Sequence, residues 1–419
     1  MTHRRTFVAG ALSLALLAAA CQQDGLFSPL PPQYAGGAMF QRYVSMGNSI
    51  TAGFQSGGIN DSTQKQSYAV LLAGAMGSPF YVPSLVKPGC PPPFDTVFTA
   101  SGVPHRLGGA TAITCFFRSA AIPPFLSNVA VPGAEALDLL QNGPGGATNS
   151  NALTQLILGG RTQIRAMMDA HPTFVSVWAG NNDVLGAATN ALNAGDSTLI
   201  TPAATVQAEY GEIADSVAAT GAGGVLIGVA NVTAIPFFSQ GATYWAIKNG
   251  LVPGAAFPAT FTVSNNCAPI ATGIPGARGD SVLVPFPYGG ALLAAASPPN
   301  NQARNLDCAD TVAAVVVPAE LRRLAAAVLA YNAADSTLAV QHGWAWFNPN
   351  PTLDSLRLIP TQVAPFPAFT NTQGCAASPF GLAFSCDAVH PSAATHRIIA
   401  RHLVLAINAK YSSAIPAVP

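Results

Sequence analysis

Two runs of apolar and β-branched residues, Thr173 to Ala179 and Gly224 to Val232, do not alternate polar with apolar side chains. A strand with one face in water alternates, whereas a strand buried on both faces does not. Both runs therefore predict central strands of a covered sheet, and a short apolar stretch ending near Met46 predicts a third. Helical stretches lie between and after them, at Ser67 to Ala75, Ala134 to Leu140, Ala152 to Asp169, Thr205 to Ala219, Pro318 to Ala334 and Ser392 to Lys410. In the last, Ile398, Ile399, Leu403, Leu405 and Ile407 approach a helical period, and Pro391 stands at the entrance. Strands alternating with helices give a doubly wound α/β fold with a parallel sheet flanked by helices.

Composition fits a large buried core. Half of the 419 residues are apolar and 9% are charged, with Lys+Arg equal to Asp+Glu. A formal charge of zero gives no electrostatic basis for a nucleic-acid partner. No stretch between Phe40 and the C-terminus reads as an interdomain linker, so residues 39–419 are expected to form one elaborated domain.

The first 20 residues read as an address. His3-Arg4-Arg5 is a basic start, Phe7 to Ala20 is an apolar run too short for an ordinary membrane span, and Ala18-Ala19-Ala20 leads to Cys21. The segment resembles a bacterial lipoprotein signal, which implies cleavage before Cys21, acylation of Cys21 and attachment to a membrane through the lipid. Gln22 after the cysteine favours the outer membrane; a plain secretory signal to the periplasm or medium is the alternative. Arg4-Arg5-Thr6-Phe7-Val8 also resembles a twin-arginine export signal beside the Sec route. Residues 21–38, with Pro29, Pro31, Pro32 and Gly36-Gly37, read as a flexible tether.

Without Cys21, six cysteines remain: Cys90, Cys115, Cys267, Cys308, Cys375 and Cys386. An even set in an exported chain points to disulfides. Pairing sequence neighbours gives Cys90–Cys115, Cys267–Cys308 and Cys375–Cys386, with buried free thiols the alternative. None sits in a Cys-x-x-Cys arrangement that would suggest zinc.

Four short segments carry the chemistry: Gly47-Asn48-Ser49-Ile50, Asn128 to Gly133, Gly180-Asn181-Asn182-Asp183, and Asp387-Ala388-Val389-His390. The first and third follow predicted strands, where ligands of a doubly wound sheet bind. In this order they resemble the four blocks of the SGNH hydrolases, the GDSL esterase and lipase family, over Tyr43 to about Arg401. The resemblance implies a flavodoxin-like parallel sheet and an ester hydrolase with no cofactor. Residue by residue it implies Ser49 as nucleophile, His390 as base, Asp387 as its orienter, and an oxyanion hole of the Ser49 and Gly133 backbone N–H groups with the Asn182 amide. The family's Gly-Asp-Ser is Gly-Asn-Ser here. Asn48 keeps a short hydrogen-bonding side chain, so the turn is expected to survive with altered electrostatics.

The residue types suit that chemistry on their own terms. A serine hydroxyl needs a base to take its proton, and an imidazole needs an acceptor to fix its tautomer. The oxyanion formed on attack needs preorganised donors, and a glycine at 133 lets the backbone approach closely. Asp183 beside Asn182 is expected to tie its loop together rather than join the triad. His396 and His402, on the last helix, read as surface or packed histidines. His105, His171 and His342 lack companions at metal-ligand spacing, so no metal is expected. Leu107-Gly108-Gly109-Ala110 and Gly221 to Gly224 lack the ending of a phosphate loop and read as turns.

Two insertions, near residues 85–127 and 236–317, are rich in Pro and aromatic residues, including Phe116, Phe117, Phe237, Phe238, Tyr244, Trp245, Phe257, Phe261, Phe286 and Tyr288. Their aromatic side chains either line a binding wall suited to an acyl chain or pack the insertions onto the body. Three functions remain open: a carboxylic ester hydrolase acting on lipid or other esters, a carbohydrate O-acetylesterase acting on an acylated glycan, and a non-catalytic surface lipoprotein.

Overall fold

The computed structural model describes residues 35–99, 103–109, 118, 121, 123–141, 152–367 and 374–419. The signal, Cys21, most of the tether, Phe116, Phe117, and the bridge expected for Cys115 lie outside them.

Strands β1 (Tyr43–Gly47), β2 (Phe174–Trp178), β3 (Gly223–Ile227) and β4 (Ala345–Phe347) pair in parallel in that spatial order. Residues 127–131 run alongside β1. Ser45 N donates to Ser127 O at 2.7 Å, Val129 N to Ser45 O at 3.0 Å, and Val131 N to Gly47 O at 3.1 Å. The segment that comes second in the chain thus lies outside the first strand, giving the order of a flavodoxin-like, doubly wound sheet.

The helices positioned by this sheet are α1 (Ser49–Ala52), α2 (Tyr68–Met76), α3 (Ala136–Leu140), α4 (Gln163–Asp169), α5 (Asn182–Thr189), α6 (Ala203–Ala218), α7 (Pro318–Gln341), α8 (Asn350–Arg357) and α9 (Ala393–Tyr411). Successive strand residues send side chains to opposite faces. Val175 and Val177 of β2 join Val44, Met46 and Leu226 in one core, covered by α3, α4, α6 and α7. Phe174 and Trp178 of the same strand join Tyr43, Val225 and Ile227 in the other, covered by α2 and α9. Apolar residues at both parities are what removed the alternation from the sequence. Burial of each such aliphatic or aromatic side chain contributes about 1.5–3 kcal/mol.

The structure corrects expected boundaries: α7 runs on to Gln341 instead of stopping at Ala334, and two other elements break where the chain gives a reason. The helix expected over 152–169 is two, Ala152–Leu158 and α4, separated at Gly159-Gly160. Thr162 caps the second, its hydroxyl accepting from Arg165 N. The strand expected over 224–232 ends at Ile227 because Val229 pairs with side chains instead of a strand. Its N–H donates to Asn332 Oδ1 at 2.7 Å, and its carbonyl accepts from the Asn332 and Asn350 amides, each at 3.0 Å.

The insertion at 236–317 builds a core of its own. Phe238–Gln240 pairs antiparallel with Leu283–Pro285, and Phe261–Val263 pairs parallel with Arg304–Leu306. Tyr244, Phe261, Val282, Val284 and Leu306 are buried together with the Cys267–Cys308 disulfide. Tyr244 and Phe261 therefore pack the insertion. Cys375–Cys386, the second bridge expected from sequence neighbours, is also formed.

Candidate active site

Gly47 ends β1 at φ +145°, and a Cβ there would stand 2.2 Å from the Trp178 carbonyl oxygen of the neighbouring strand. Only glycine fits that close approach. Gln163 of α4 clamps the same residue from below, accepting from Gly47 N at 2.9 Å and donating to Gly47 O at 2.8 Å. Asn48 then caps α1, its Oδ1 accepting from Ile50 N at 3.1 Å, while its Nδ2 donates to Asn181 Oδ1 at 3.4 Å. Asn48 thus holds the turn as expected and also reaches the third motif. Ser49 begins a helix of one turn, closed by Gly53 at φ +88°. The first N–H groups of a helix have no acceptor within it, so the Ser49 N–H has none from α1.

The fourth motif meets Ser49 from the far end of the chain. Ser49 Oγ and His390 Nε2 are 2.9 Å apart, and His390 Nδ1 and Asp387 Oδ2 are 2.8 Å apart. An ionised carboxylate can only accept, so Nδ1 carries the ring proton and Nε2 is left to accept from the serine hydroxyl. Asp387 is held on both oxygens. Oδ1 accepts from Val389 N and His390 N, each at 2.9 Å, and from Ser385 Oγ at 3.0 Å. Oδ2 also accepts from Gly57 N at 2.7 Å. Burial pushes this carboxyl up, but the His390 ring and the His390 and Val389 N–H groups outweigh it and hold it at about 2. Phe54 packs against the His390 ring with centroids 4.9 Å apart. The Cys375–Cys386 bridge anchors the residue next to Asp387.

The second and third motifs are tied to each other. Asn182 Nδ2 donates to Ala134 O at 2.8 Å, and Asp183 Oδ2 accepts from Ala136 N at 3.0 Å. Asp183 lies outside the Ser49–His390–Asp387 line and fastens α5 to α3, the tying role its position suggested. An amide NH2 has two hydrogens; the Ala134 bond uses one from Asn182 and leaves the other. Asn128 fixes the second motif on α1, the helix that Ser49 begins, donating to Thr51 O at 2.8 Å. Gly133, at φ +87°, stands exposed in the turn before α3. Ser49, Asn182 and His390 line one cleft of about 660 Å³, including its open mouth; Gly133 is not among the lining residues.

Of the other histidines, His396 is fully buried, with Nδ1 accepting from Tyr68 N at 3.2 Å. Burial, and then the nearby His390, lower its pKa to about 3, so it is a neutral packed residue. His402 is exposed on α9 beside Phe347. Sequence reasoning missed Gln163 and Gly57, whose contacts with the site span the chain, and Ser385, two residues before Asp387, whose local hydroxyl bond no motif marks.

The arrangement can move a proton from Ser49 Oγ to His390 while Asp387 stabilises the imidazolium. Neither a protein-family model nor a curated protein sequence matches the chain. Among solved structures it is similar to TesA at 12% identity and TM-score 0.34, covering 88% of this chain and 98% of that one. A mutant of Axe2, an acetyl-xylooligosaccharide esterase from Geobacillus Stearmophilus, overlaps at 11% identity and TM-score 0.38, covering 90% of this chain and 96% of that one. LAE5, an alpha/beta hydrolase enzyme from the metagenome of Lake Arreo, Spain, overlaps at 13% identity and TM-score 0.36, covering 88% and 98%. Likenesses this distant carry no functional weight, and the chemistry rests on the side-chain geometry.

Proposed function

We propose that this chain is a serine carboxylic ester hydrolase of the SGNH type. The observation that carries the reading is the continuous line from Ser49 Oγ through His390 to Asp387, at 2.9 and 2.8 Å. Ser49 Oγ attacks the ester carbonyl carbon and its proton passes to His390 Nε2. The tetrahedral oxyanion is held by the Ser49 N–H and the remaining Asn182 amide hydrogen; the Gly133 N–H is a third donor on the strength of the family resemblance alone, since Gly133 does not line the cleft. Collapse breaks the ester C–O bond, and the departing alkoxide takes the proton from His390. Water then repeats the attack on the acyl-serine, releasing the acid and restoring the hydroxyl. Asp387, ionised throughout, keeps the imidazole in the productive tautomer.

The test is turnover of p-nitrophenyl esters with fluorophosphonate labelling. Ser49→Ala is expected to lower kcat by about 10⁴-fold or more and abolish the label. Wild-type protein that neither labels nor turns over any ester refutes the assignment.

Export belongs to the same reading: the mature chain begins at an acylated Cys21 and is held at the cell envelope, on the outer membrane. Support comes from the basic, apolar, small-residue and cysteine order of the first 21 residues and from the Cys267–Cys308 and Cys375–Cys386 disulfides among the described residues. Palmitate incorporation that is lost in Cys21→Ser checks it.

A further inference from the structure

The cleft that opens on Ser49 and His390 has one wall supplied by α8. Asn350, Leu353, Asp354 and Arg357 all line it, and their i, i+3, i+4, i+7 spacing puts them on one face of the helix. The start of α8 is pinned to the loop after β3, because Asn350 Oδ1 accepts from Asn231 N at 2.7 Å while its Nδ2 donates to Val229 O. That fixed start sets Leu353 one turn along, in the same cleft that Leu185 and Ile235 line.

Most of the cleft's lining is carbon, with Trp178, Leu185, Val232, Ile235, Leu353 and Phe384 among it, and several of its polar side chains are engaged by the protein. Asn181 accepts from Asn48, Asn182 donates to Ala134, and Asn231 Oδ1 accepts from Thr233 N and Oγ1. Asp354 and Arg357 face each other at 3.6 Å at the helix end. A sugar needs polar groups prepared to bond its hydroxyls, because each one buried unpaired costs free energy. An alkyl chain asks only for carbon surface.

We propose that this cleft takes the acyl chain of the ester and that Leu353 on α8 sets the length it accepts, so the substrates are esters of apolar acids longer than acetate. The proposal rests on the ester hydrolase assignment above. The carbonyl lies over Ser49 and the chain runs along α8, Leu185 and Ile235.

The experiment is paired ester series on the whole mature protein. With the p-nitrophenyl group fixed, kcat/KM is expected to rise about four-fold per methylene from acetate until the chain outruns the cleft, the factor for burying one methylene. With acetate fixed, lengthening the alcohol is expected to change little. Leu353→Trp, which fills the cleft, is expected to lower the octanoate-to-acetate ratio of kcat/KM by about ten-fold, the worth of nearly two methylenes. A flat or falling acyl profile, with Ser49 still labelled by a fluorophosphonate, overturns the acyl assignment and leaves the hydrolase standing. A rise along the alcohol series alone also overturns it. Absence of both labelling and turnover removes both. If Leu353→Trp does not fold, the two wild-type series decide.

Discussion

Asp387 and the acidic group between α3, α5, α6 and α7 are both withdrawn from water, yet they come out at opposite ends of the carboxylate range. Asp387 has backbone N–H groups on both oxygens and an imidazole at 2.8 Å, and it stays ionised down to about 2. Burial, followed by the Asp183 and Asp138 charges, raises Glu135 to about 7. Burial, followed by Asp183, Glu135, Asp138 and Glu212, raises Glu209 to about 7. Asp335 is fully buried, neither of its oxygens has a hydrogen-bond partner among the described residues, and burial, then Asp183, lifts it well above its usual range. Burial alone therefore does not decide whether a carboxylate is ionised. Donors aimed at the charge do, and without them the group keeps its proton.

The sharpest way to break this contrast is Asp387→Asn, which preserves shape and removes charge. An Asn amide can donate to Nδ1, which would move the ring proton to Nε2 and leave nothing to accept from Ser49. We expect kcat to fall by about 10⁴-fold, with fluorophosphonate labelling slowed in parallel. A loss below about ten-fold in a folded variant would mean that the carboxylate charge is not what orients His390.

The two regions also differ in how far the sequence disclosed them. Asp387 and His390 stand three residues apart on one loop, and Ser49 stands two residues past an apolar strand, so the groups of the proposed site were legible as local patterns. Their supports were not. Gln163 holds Gly47 from 116 positions away and Gly57 N–H reaches Asp387 across 330, distances that only the folded chain closes. The acidic group is equally dispersed: Glu135 precedes α3, while Asp183, Glu209 and Asp335 lie on α5, α6 and α7, each with an unremarkable local context. The central strands were readable because apolar residues occupy both parities. β4 was not, since three residues at Ala345–Phe347 are too few to carry a period. The aromatic residues of the 236–317 insertion could not reveal their own use, because Tyr244 and Phe261 in a private core and the same residues in a cleft give the same composition.

Asp335→Leu sharpens the comparison from the other side. Replacing a buried polar group that lacks partners by an apolar one removes its desolvation cost. The variant is expected to gain about 1–2 kcal/mol in urea unfolding, whereas Asp387→Leu is expected to lose stability because several N–H donors are orphaned. A loss of similar size in both would mean that Asp335 is stabilised by groups beyond those that now face it.

Glu209→Gln is the smallest and most specific test. A carboxyl whose folded pKa stands above its unfolded value binds its proton more tightly in the fold. Its contribution is complete below the ordinary value of 4.5 and is lost as pH rises through about 7. Gln cannot ionise, so the variant escapes that loss. The Tm difference between Glu209→Gln and wild type is expected to grow by about 1–2 °C from pH 5 to pH 8 in calorimetry. The wild-type curve alone cannot show this, because His396 works in the opposite direction. Held neutral in the fold with its pKa near 3, it favours the fold above 6.5 and loses that contribution as pH falls toward about 3. His396 is present in both proteins and cancels in the difference, so a gap that stays constant with pH would mean that Glu209 does not share the acidic group's retained protons.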